Sequence, residues 1–306
     1  MKKIVLAGGS GQLGELLVQA FAKKNIQCVI LTRQTTASTD PAICYVYWDG
    51  VQIGDWKEEL EDADVLINLS GKSIQCRFNK ENKRKLETSR VQPTQLLGQA
   101  LMGLKNPPRL WINFSGISIF GGKDGIHDES SLDFGDDFLA NLTKIWEKTF
   151  TTVTAPAQTH KVILRVSPVL MNNSGMFASL KPIVKWGLGG QVANGKQYVS
   201  WIHQRDFVKL VLWIIKQENP APIYHACSPY PVSNALFMKA FRQNLNQPIG
   251  LPLPTIMAKV GAIVKGVDSS LLLQSVAAST KASLDEGFKF KYPYIQQAIQ
   301  QLLKST

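Results

Sequence analysis

Cysteine is scarce in this 306-residue chain, and its cysteines are widely separated. The four of them are Cys28, Cys44, Cys76 and Cys227, and no two form a C-x-x-C pair. This spacing excludes a disulfide framework and a zinc finger as explanations of the fold. We therefore expect no metal site and a reducing, cytoplasmic environment.

Long hydrophobic runs are also absent. The longest apolar stretch, FVKLVLWII at 207–215, is interrupted by Lys209 and is too short to span a bilayer. The first residues, MKKIVLAGG, place only four apolar residues before the glycines, which predicts a first strand and not a signal peptide. On this basis the sequence predicts no membrane partner.

Acidic residues are outnumbered: 34 Lys and Arg face 23 Asp and Glu, a net charge of +11. The densest basic run, KENKRK at 80–85, contains an acid and no aromatic residue. It favours a solvated helix face over a nucleic-acid surface, so we expect no nucleic-acid partner. The positive excess suits an anionic small ligand.

Apolar strands alternate with amphipathic helices over the first 170 residues. Strands are predicted at 3–7, 27–32, 43–48, 63–70, 109–115 and 161–166, and helices at 15–24, 79–102 and 138–150, with a break or a second helix start at Pro93. Strands that are apolar nearly throughout indicate a parallel sheet covered on both faces. The fold class predicted is α/β, a Rossmann-type doubly wound parallel sheet.

The texture of the sequence changes near residue 170, where proline becomes more frequent. We predict a dinucleotide-binding Rossmann domain at 1–170, to which later segments return, and a smaller C-terminal α+β substrate lobe at 171–306. Residues 262–280 suggest a helix with a loose middle.

The stretch LAGGSGQLG at 6–14 fits G-x-G-x-x-G, after a strand and before a helix. Glycines there permit a tight turn and let the backbone approach a pyrophosphate, which the helix N-terminus attracts. The residues expected to contact the cofactor are Gly8, Gly9, Ser10, Gly11, Gln12, Leu13 and Gly14. A glycine-rich turn of a flavodoxin-like fold without dinucleotide is the alternative.

The second strand ends in Thr32 and Arg33, where an acid would read the ribose 2′-hydroxyl of NAD. A guanidinium can instead hold a 2′-phosphate through paired hydrogen bonds. We therefore predict NADP (NADPH) as the cofactor. An exposed arginine kept for solubility is the alternative.

Two further strand ends point towards the same crevice. Trp48 and Asp49 close the third strand, and Asp49 is a candidate acceptor for the adenine amino group. Leu69, Ser70 and Gly71 close the fourth, where small residues leave room for a ribose. Either segment is equally explained as a turn.

A series of motifs resembles the extended short-chain dehydrogenase/reductase superfamily. The segments GGSGQLG, LTR, NLSG, FSGISIFG, ILR, GLGG, SWIHQRD and GFKF occur in the order seen in one atypical branch. That branch is the NAD(P)-dependent epimerase/dehydratase-like family with a short C-terminal domain of unknown function. The resemblance covers nearly the whole chain.

The resemblance implies a catalytic Ser or Thr, a Tyr that acts as general acid/base and a Lys four residues later. No tyrosine of this sequence has a lysine four residues on. If Glu147 stands where an acid often follows the lysine, the two positions fall on Leu139 and Thr143, and the usual hydroxyl falls on Gly116. Ser115 is then a candidate for ribose or substrate contact and for catalysis, or an ordinary strand-end serine.

In the resembling proteins the segment SWIHQRD at 200–206 closes over the substrate side. His203 is a candidate for proton transfer. The expected substrate-binding side chains are Arg77, Trp186, Gln197 and Trp201. For His203 the alternative is a histidine satisfied within the lobe, and for the tryptophans it is packing.

The sequence thus predicts an NADP(H)-binding oxidoreductase or epimerase-like enzyme without the Tyr–Lys pair, acting on an unidentified small molecule. The alternative is a non-catalytic NADP(H)-binding sensor or scaffold, which loss of the pair favours. A homodimer is left open.

Overall fold

A seven-stranded parallel sheet forms the centre of the protein in a computed structural model that describes residues 3–304. The strands, in chain order, are β1 (Lys3–Ala7), β2 (Gln27–Thr32), β3 (Ile43–Tyr47), β4 (Val65–Asn68), β5 (Leu110–Gly116), β6 (His160–Val166), β7 (Val169–Leu170), β8 (Tyr198–Val199), β9 (Ile202–His203), β10 (Ile223–Ala226) and β11 (Val232–Ser233). The central sheet has the order β10-β6-β5-β4-β1-β2-β3.

This order confirms the predicted Rossmann-type α/β fold. The chain runs outwards from β1 to β3, returns to pair β4 with the other side of β1, and continues to β10. The direction reverses between β1 and β4, so a crevice opens at their carboxyl ends.

Both faces of the sheet are covered by helices. The helices are α1 (Gln12–Ala22), α2 (Lys80–Met102), α3 (Phe138–Thr152), α4 (Gly175–Lys185), α5 (Gln204–Lys216), α6 (Asn234–Asn244), α7 (Thr255–Val264), α8 (Ser270–Leu273), α9 (Ala282–Asp285) and α10 (Ile295–Lys304). Ile4 and Leu6 share a core cluster with α1 and α5. Val5 and Ala7, which point the other way, share one with α2 and Phe150 of α3.

The helix break predicted at Pro93 is wrong, because α2 continues from Lys80 to Met102. Pro93 is buried, and Gly50 packs so closely that a Cβ at Gly50 would lie 3.2 Å from the proline ring. Next to it, the Thr94 hydroxyl donates to the Arg90 carbonyl at 2.7 Å. Tertiary packing therefore offsets the missing backbone N–H.

The C-terminal part of the chain builds a second core around α4, α6 and α10. It also carries two small pairings, β8 with β11 and β7 with β9. Its strand β10 returns to the central sheet and pairs with β6. The expected helix at 262–280 is found only in part, as the end of α7 and the short α8. The domain division at residue 170 stays a prediction.

None of the helices between residues 3 and 304 combines the length and hydrophobicity needed to cross a lipid bilayer.

Candidate active site

The glycine loop folds tightly between β1 and α1. Gly8 has φ +73°, a conformation that favours glycine, and its N–H donates to the Leu31 carbonyl at 2.9 Å. A Cβ at Gly8 would lie 2.9 Å from Ser70 Cα, so the loop touches the end of β4. A Cβ at Gly14 would lie 2.1 Å from the Gly9 carbonyl oxygen, which requires glycine there.

Gly11 differs from these positions because an added Cβ would meet no atom within 4 Å. It is the N-cap of α1, and no side chain hydrogen-bonds to the helix there. The first turn, with Gln12 and Leu13, therefore presents backbone N–H groups and the positive end of the helix dipole towards open space. Such an end is suited to an anion.

The end of β2 joins the loop through a hydroxyl pair. Thr32 Oγ1 donates to Ser10 Oγ at 3.0 Å. Arg33 follows at once and is exposed, with no carboxylate at the strand end. A positive side chain thus stands beside the glycine loop.

At the end of β3, Trp48 is buried and packs edge-on against Trp56. The Trp48 indole N–H has no hydrogen-bond partner among the described residues. Asp49 Oδ1 accepts the N–H groups of Val51 and Gln52 at 2.8 and 3.1 Å, and these bonds lower the pKa of the carboxyl. Asp49 thus stabilises the turn after β3, and its contact with an adenine stays a prediction.

A buried polar network joins the end of β4 to the middle of β5, and the sequence reasoning missed it. Asn68 Nδ2 donates to Asn113 Oδ1 at 2.7 Å and to Thr94 Oγ1 at 3.1 Å. Asn68 Oδ1 accepts the N–H of Ser70, which fixes the turn that continues to Gly71. Leu69 is held by its N–H, which donates to the Ala7 carbonyl at 2.8 Å. An amide side chain within each of two apolar strands was the signal available in the sequence.

Ser115 at the end of β5 belongs to a buried charged cluster. Its hydroxyl donates to Glu147 Oε1 at 2.6 Å. Arg165 on β6 donates to both oxygens of the same carboxylate, from Nε and Nη2, at 2.8 Å each. Both charged groups are almost completely buried. Because the Ser115 proton points at Glu147, only its lone pairs remain for a ligand, which must then donate.

The helix position assigned to the acid/base pair carries no titratable group. Leu139 is buried, and Thr143 Oγ1 donates to the Leu139 carbonyl at 2.8 Å. Ser118 lies 3.1 Å from Thr143 Oγ1. A Cβ at Gly116 would lie 2.9 Å from Ser118 Oγ, so the Ser118 hydroxyl occupies the space next to that position. Two hydroxyls therefore pair where the resemblance places Tyr, Lys and Ser.

His203 lies in the C-terminal part of the chain, and both of its ring nitrogens have partners. Nδ1 accepts the Arg205 N–H at 3.1 Å, so the proton is on Nε2, which contacts Gln301 Oε1 at 2.6 Å. The ring packs on Tyr292, and burial lowers the pKa of His203 to about 4. This geometry favours the packing alternative for His203, a cap of α5, over a proton-transfer role.

The remaining residues of SWIHQRD have the same character. Asp206 accepts the N–H groups of Lys291 and Tyr292 at 2.8 and 2.7 Å, and burial raises its pKa. Trp201 is buried in the cluster of α4, α6 and α10. The motif thus fastens the C-terminal segment to α5.

The other predicted substrate contacts do not converge on one point. Gln197 Nε2 donates to the Val192 carbonyl at 3.0 Å, while Trp186 is exposed at the end of α4. Arg77 Nη2 donates to the Ile263 carbonyl at 2.8 Å, which joins the segment before α2 to α7. Their roles towards a substrate stay predictions.

Comparison with known proteins agrees with this geometry. Residues 4–137 match the NAD dependent epimerase/dehydratase family. An epimerase family protein of Mycobacterium leprae is 30% identical over 305 residues, covering 97% of this chain and 94% of the relative. One of Staphylococcus saprophyticus is 29% identical over 311 residues, covering 99% and 100%.

Solved structures show the same fold. A human epimerase family protein, solved with NADPH, has a TM-score of 0.87 at 23% identity and covers 99% of this chain and 100% of its own. A nucleoside-diphosphate sugar epimerase of Corynebacterium glutamicum has a TM-score of 0.78 at 24% identity, covering 99% of this chain and 58% of its own. On the strength of this full-length relative from Mycobacterium leprae, the chain belongs to the epimerase family of proteins.

Proposed function

We propose that the protein binds NADP(H) in preference to NAD(H) and acts on a small molecule as an oxidoreductase or epimerase-like enzyme. The observation that carries the cofactor preference is Arg33, exposed at the end of β2 beside the Thr32–Ser10 pair, where a carboxylate would exclude a 2′-phosphate. The human relative solved with NADPH supports it.

The residues of the crevice fit a dinucleotide. Gly8 and Gly14 bring the loop and α1 into close contact with β4 and with each other, while Gly11 leaves open space at the helix N-terminus. The N–H groups of Gln12 and Leu13 would face the pyrophosphate of the dinucleotide. The Arg33 guanidinium would face the 2′-phosphate of the ribose. When bound, the cofactor supplies hydride transfer.

The chain's own residues set limits on proton transfer. Leu139 has no proton to give, so the Ser118–Thr143 hydroxyls and the Ser115 lone pairs are the polar groups next to the assigned position. Ser115 is oriented by Glu147, whose charge Arg165 neutralises. These hydroxyls would position a substrate alcohol and pass its proton to solvent, without a strong general base.

The cofactor preference is tested by affinities for NADPH and NADH. Arg33→Asp should weaken NADPH binding by about ten- to a hundredfold, the worth of one paired charge contact of about 1.5–3 kcal/mol. NADH binding should be unchanged or improve. Arg84→Asp makes the same charge change on the exposed face of α2 and is the matched control. Equal affinity of the wild-type protein for NADH contradicts the proposal.

A non-catalytic NADP(H) sensor is the second candidate, and Leu139 at the acid/base position favours it. The two differ in turnover. Oxidation of NADPH by a carbonyl compound from a metabolite panel, reduced in Ser115→Ala and Ser118→Ala, supports the enzyme. No oxidation with any compound, together with a partner that binds only the NADPH-loaded protein, supports the sensor.

A further inference from the structure

Helix α7 is apolar on the side that faces away from the protein. Only two of its side chains, Ala258 and Ala262, are buried. Its larger apolar side chains are all exposed, from 55% for Val260 to 82% for Val264; they are Ile256, Met257, Val260, Ile263 and Val264. Globular proteins place such residues on the packed face of a helix, so the arrangement is inverted.

The spacing of these residues defines a continuous stripe. At 3.6 residues per turn the five exposed side chains cover an arc of about 120°, centred opposite Ala258 and Ala262. Lys259 and Lys265 project between the buried face and the stripe, one on each side. The small alanines hold the helix close to the protein, and the stripe points outwards.

The stripe continues into a neighbouring exposed segment. Residues 187–191 pair with 251–253 through backbone hydrogen bonds, including Leu251 N–H to Gly187 O at 2.9 Å and Leu253 N–H to Gln191 O at 2.9 Å. This ladder leads directly into α7. Four more exposed apolar side chains lie in it or next to it, namely Trp186, Leu188, Ile249 and Leu251. We call these four residues and the five of α7 the apolar patch.

The stretch of chain that carries the apolar patch has a strong excess of basic residues and meets its next acid only at Asp268. Residues 171–267 contain ten Lys and Arg and only two acids, Asp206 and Glu218. From residue 219 to residue 267 there is no acid, and four basic residues occur: Lys239, Arg242, Lys259 and Lys265. Most of the net charge of the chain is therefore in the part that carries the patch.

We propose that the apolar patch docks this protein on the surface of an anionic lipid bilayer, with α7 lying in the plane of the interface. Ile, Val, Leu, Met and Trp side chains enter the headgroup region, while flanking lysines meet the lipid phosphates. A second copy of the chain fits less well, because pairing two such surfaces would bring lysines of like charge together.

This proposal revises the expectation of no membrane partner, which rested on the absence of a spanning segment. A surface helix needs an apolar stripe and a basic flank, and not about 20 apolar residues in a row. The proposal does not rest on the proposed function, since its test needs neither cofactor nor substrate; one member of the patch, Trp186, is also a predicted substrate contact.

The test is flotation of the full-length protein with vesicles. Vesicles of phosphatidylcholine alone are compared with an equal mixture of phosphatidylcholine and phosphatidylglycerol. The protein should float with the anionic vesicles only, and less as salt is raised. The triple variant Ile256→Gln, Val260→Gln, Ile263→Gln should lose binding by about tenfold or more. The double variant Lys259→Gln, Lys265→Gln should bind the anionic vesicles more weakly than the wild type does.

A matched control is available in Leu132→Gln, since Leu132 is 83% exposed but lies in the loop before α3. It should bind vesicles like the wild type. Circular dichroism checks that each variant is folded. Failure of the wild-type protein to float with either kind of vesicle overturns the proposal. A concentration-dependent dimer that the triple variant abolishes also overturns it, because the apolar patch would then bind a second copy of the chain.

Discussion

At the scale of single residues, the Arg165–Glu147 pair is the most demanding feature of the site. Both groups are removed from water, so each depends on the other for compensation. We predict that Glu147→Leu lowers the free energy of unfolding by about 3–5 kcal/mol, since a buried guanidinium is left unpaired. Urea denaturation of the variant measures it.

The double variant Glu147→Leu, Arg165→Met is the control for this prediction. It removes both charges and should recover much of the lost stability. A double variant no more stable than Glu147→Leu would show that the stability loss came from packing and not from the unpaired charge.

His203 predicts a dependence of stability on pH. Its pKa is about 4 in the folded protein and 6.5 ordinarily, so between these values the unfolded chain binds more protons. The free energy of unfolding should therefore fall as pH is lowered from 6.5 to 4, by up to about 1.4 kcal/mol per pH unit for this group. Asn can cap α5 without titrating, so His203→Asn should flatten the curve. Parallel curves for the two proteins contradict this assignment.

Site residues whose position follows from the neighbouring sequence could be predicted. The positions of the loop glycines, and of Arg33 at the end of β2, are determined by the geometry of a strand–turn–helix unit. The hydrogen-bond partners of Ser115 and His203 could not be predicted from the sequence, because Glu147 is 32 residues from Ser115 and Gln301 is 98 residues from His203. Such contacts depend on which strands become neighbours, which a single sequence does not show.

At the scale of elements, the turn from β1 into α1 separates structural from ligand-related glycines. Gly14→Ala would place a Cβ 2.1 Å from the Gly9 carbonyl oxygen, whereas Gly11→Ala meets open space. We predict that Gly14→Ala destabilises the protein by about 2 kcal/mol or more, as overpacking against backbone does. Thermal unfolding measures the difference.

Gly11→Ala is the companion variant and should leave stability unchanged or slightly raised, because its backbone conformation, φ −85°, is open to alanine. Its NADPH affinity should nevertheless fall if a phosphate occupies the space in front of α1. Equal NADPH binding by Gly11→Ala and wild type would place the phosphate elsewhere.

Element positions were predicted well where periodicity and burial agree. The six predicted strands correspond to β1 to β6, since all are apolar and all but the half-exposed edge strand β3 are buried over most of their length. Pro93 was misread because its local penalty is offset by Gly50, which comes from a distant turn. The prediction for residues 262–280 is met in part, because the end of α7 and the short α8 are separated by a non-helical segment and residues 274–280 are not helical.

At the scale of the whole molecule, Glu129 connects segments that are far apart in the chain. Its carboxylate accepts the N–H groups of His225, Lys281 and Ala282 and the hydroxyl of Thr280. We predict that Glu129→Ala costs about 3 kcal/mol of unfolding free energy, as loss of a charged hydrogen-bond centre does. Glu218→Ala, at an exposed position, should change it by less than about 0.5 kcal/mol.

The pairing of β10 with β6 has a consequence for biosynthesis. Ile223 pairs with Ile163, so the edge of β6 stays open until about sixty further residues have been synthesised. An apolar strand with an unpaired edge on a nascent chain can pair with strands of other chains and so promote aggregation. A chaperone that shields the nascent sheet during this interval would raise the yield of native protein, and a chain arrested before residue 223 would be more aggregation-prone than the complete one.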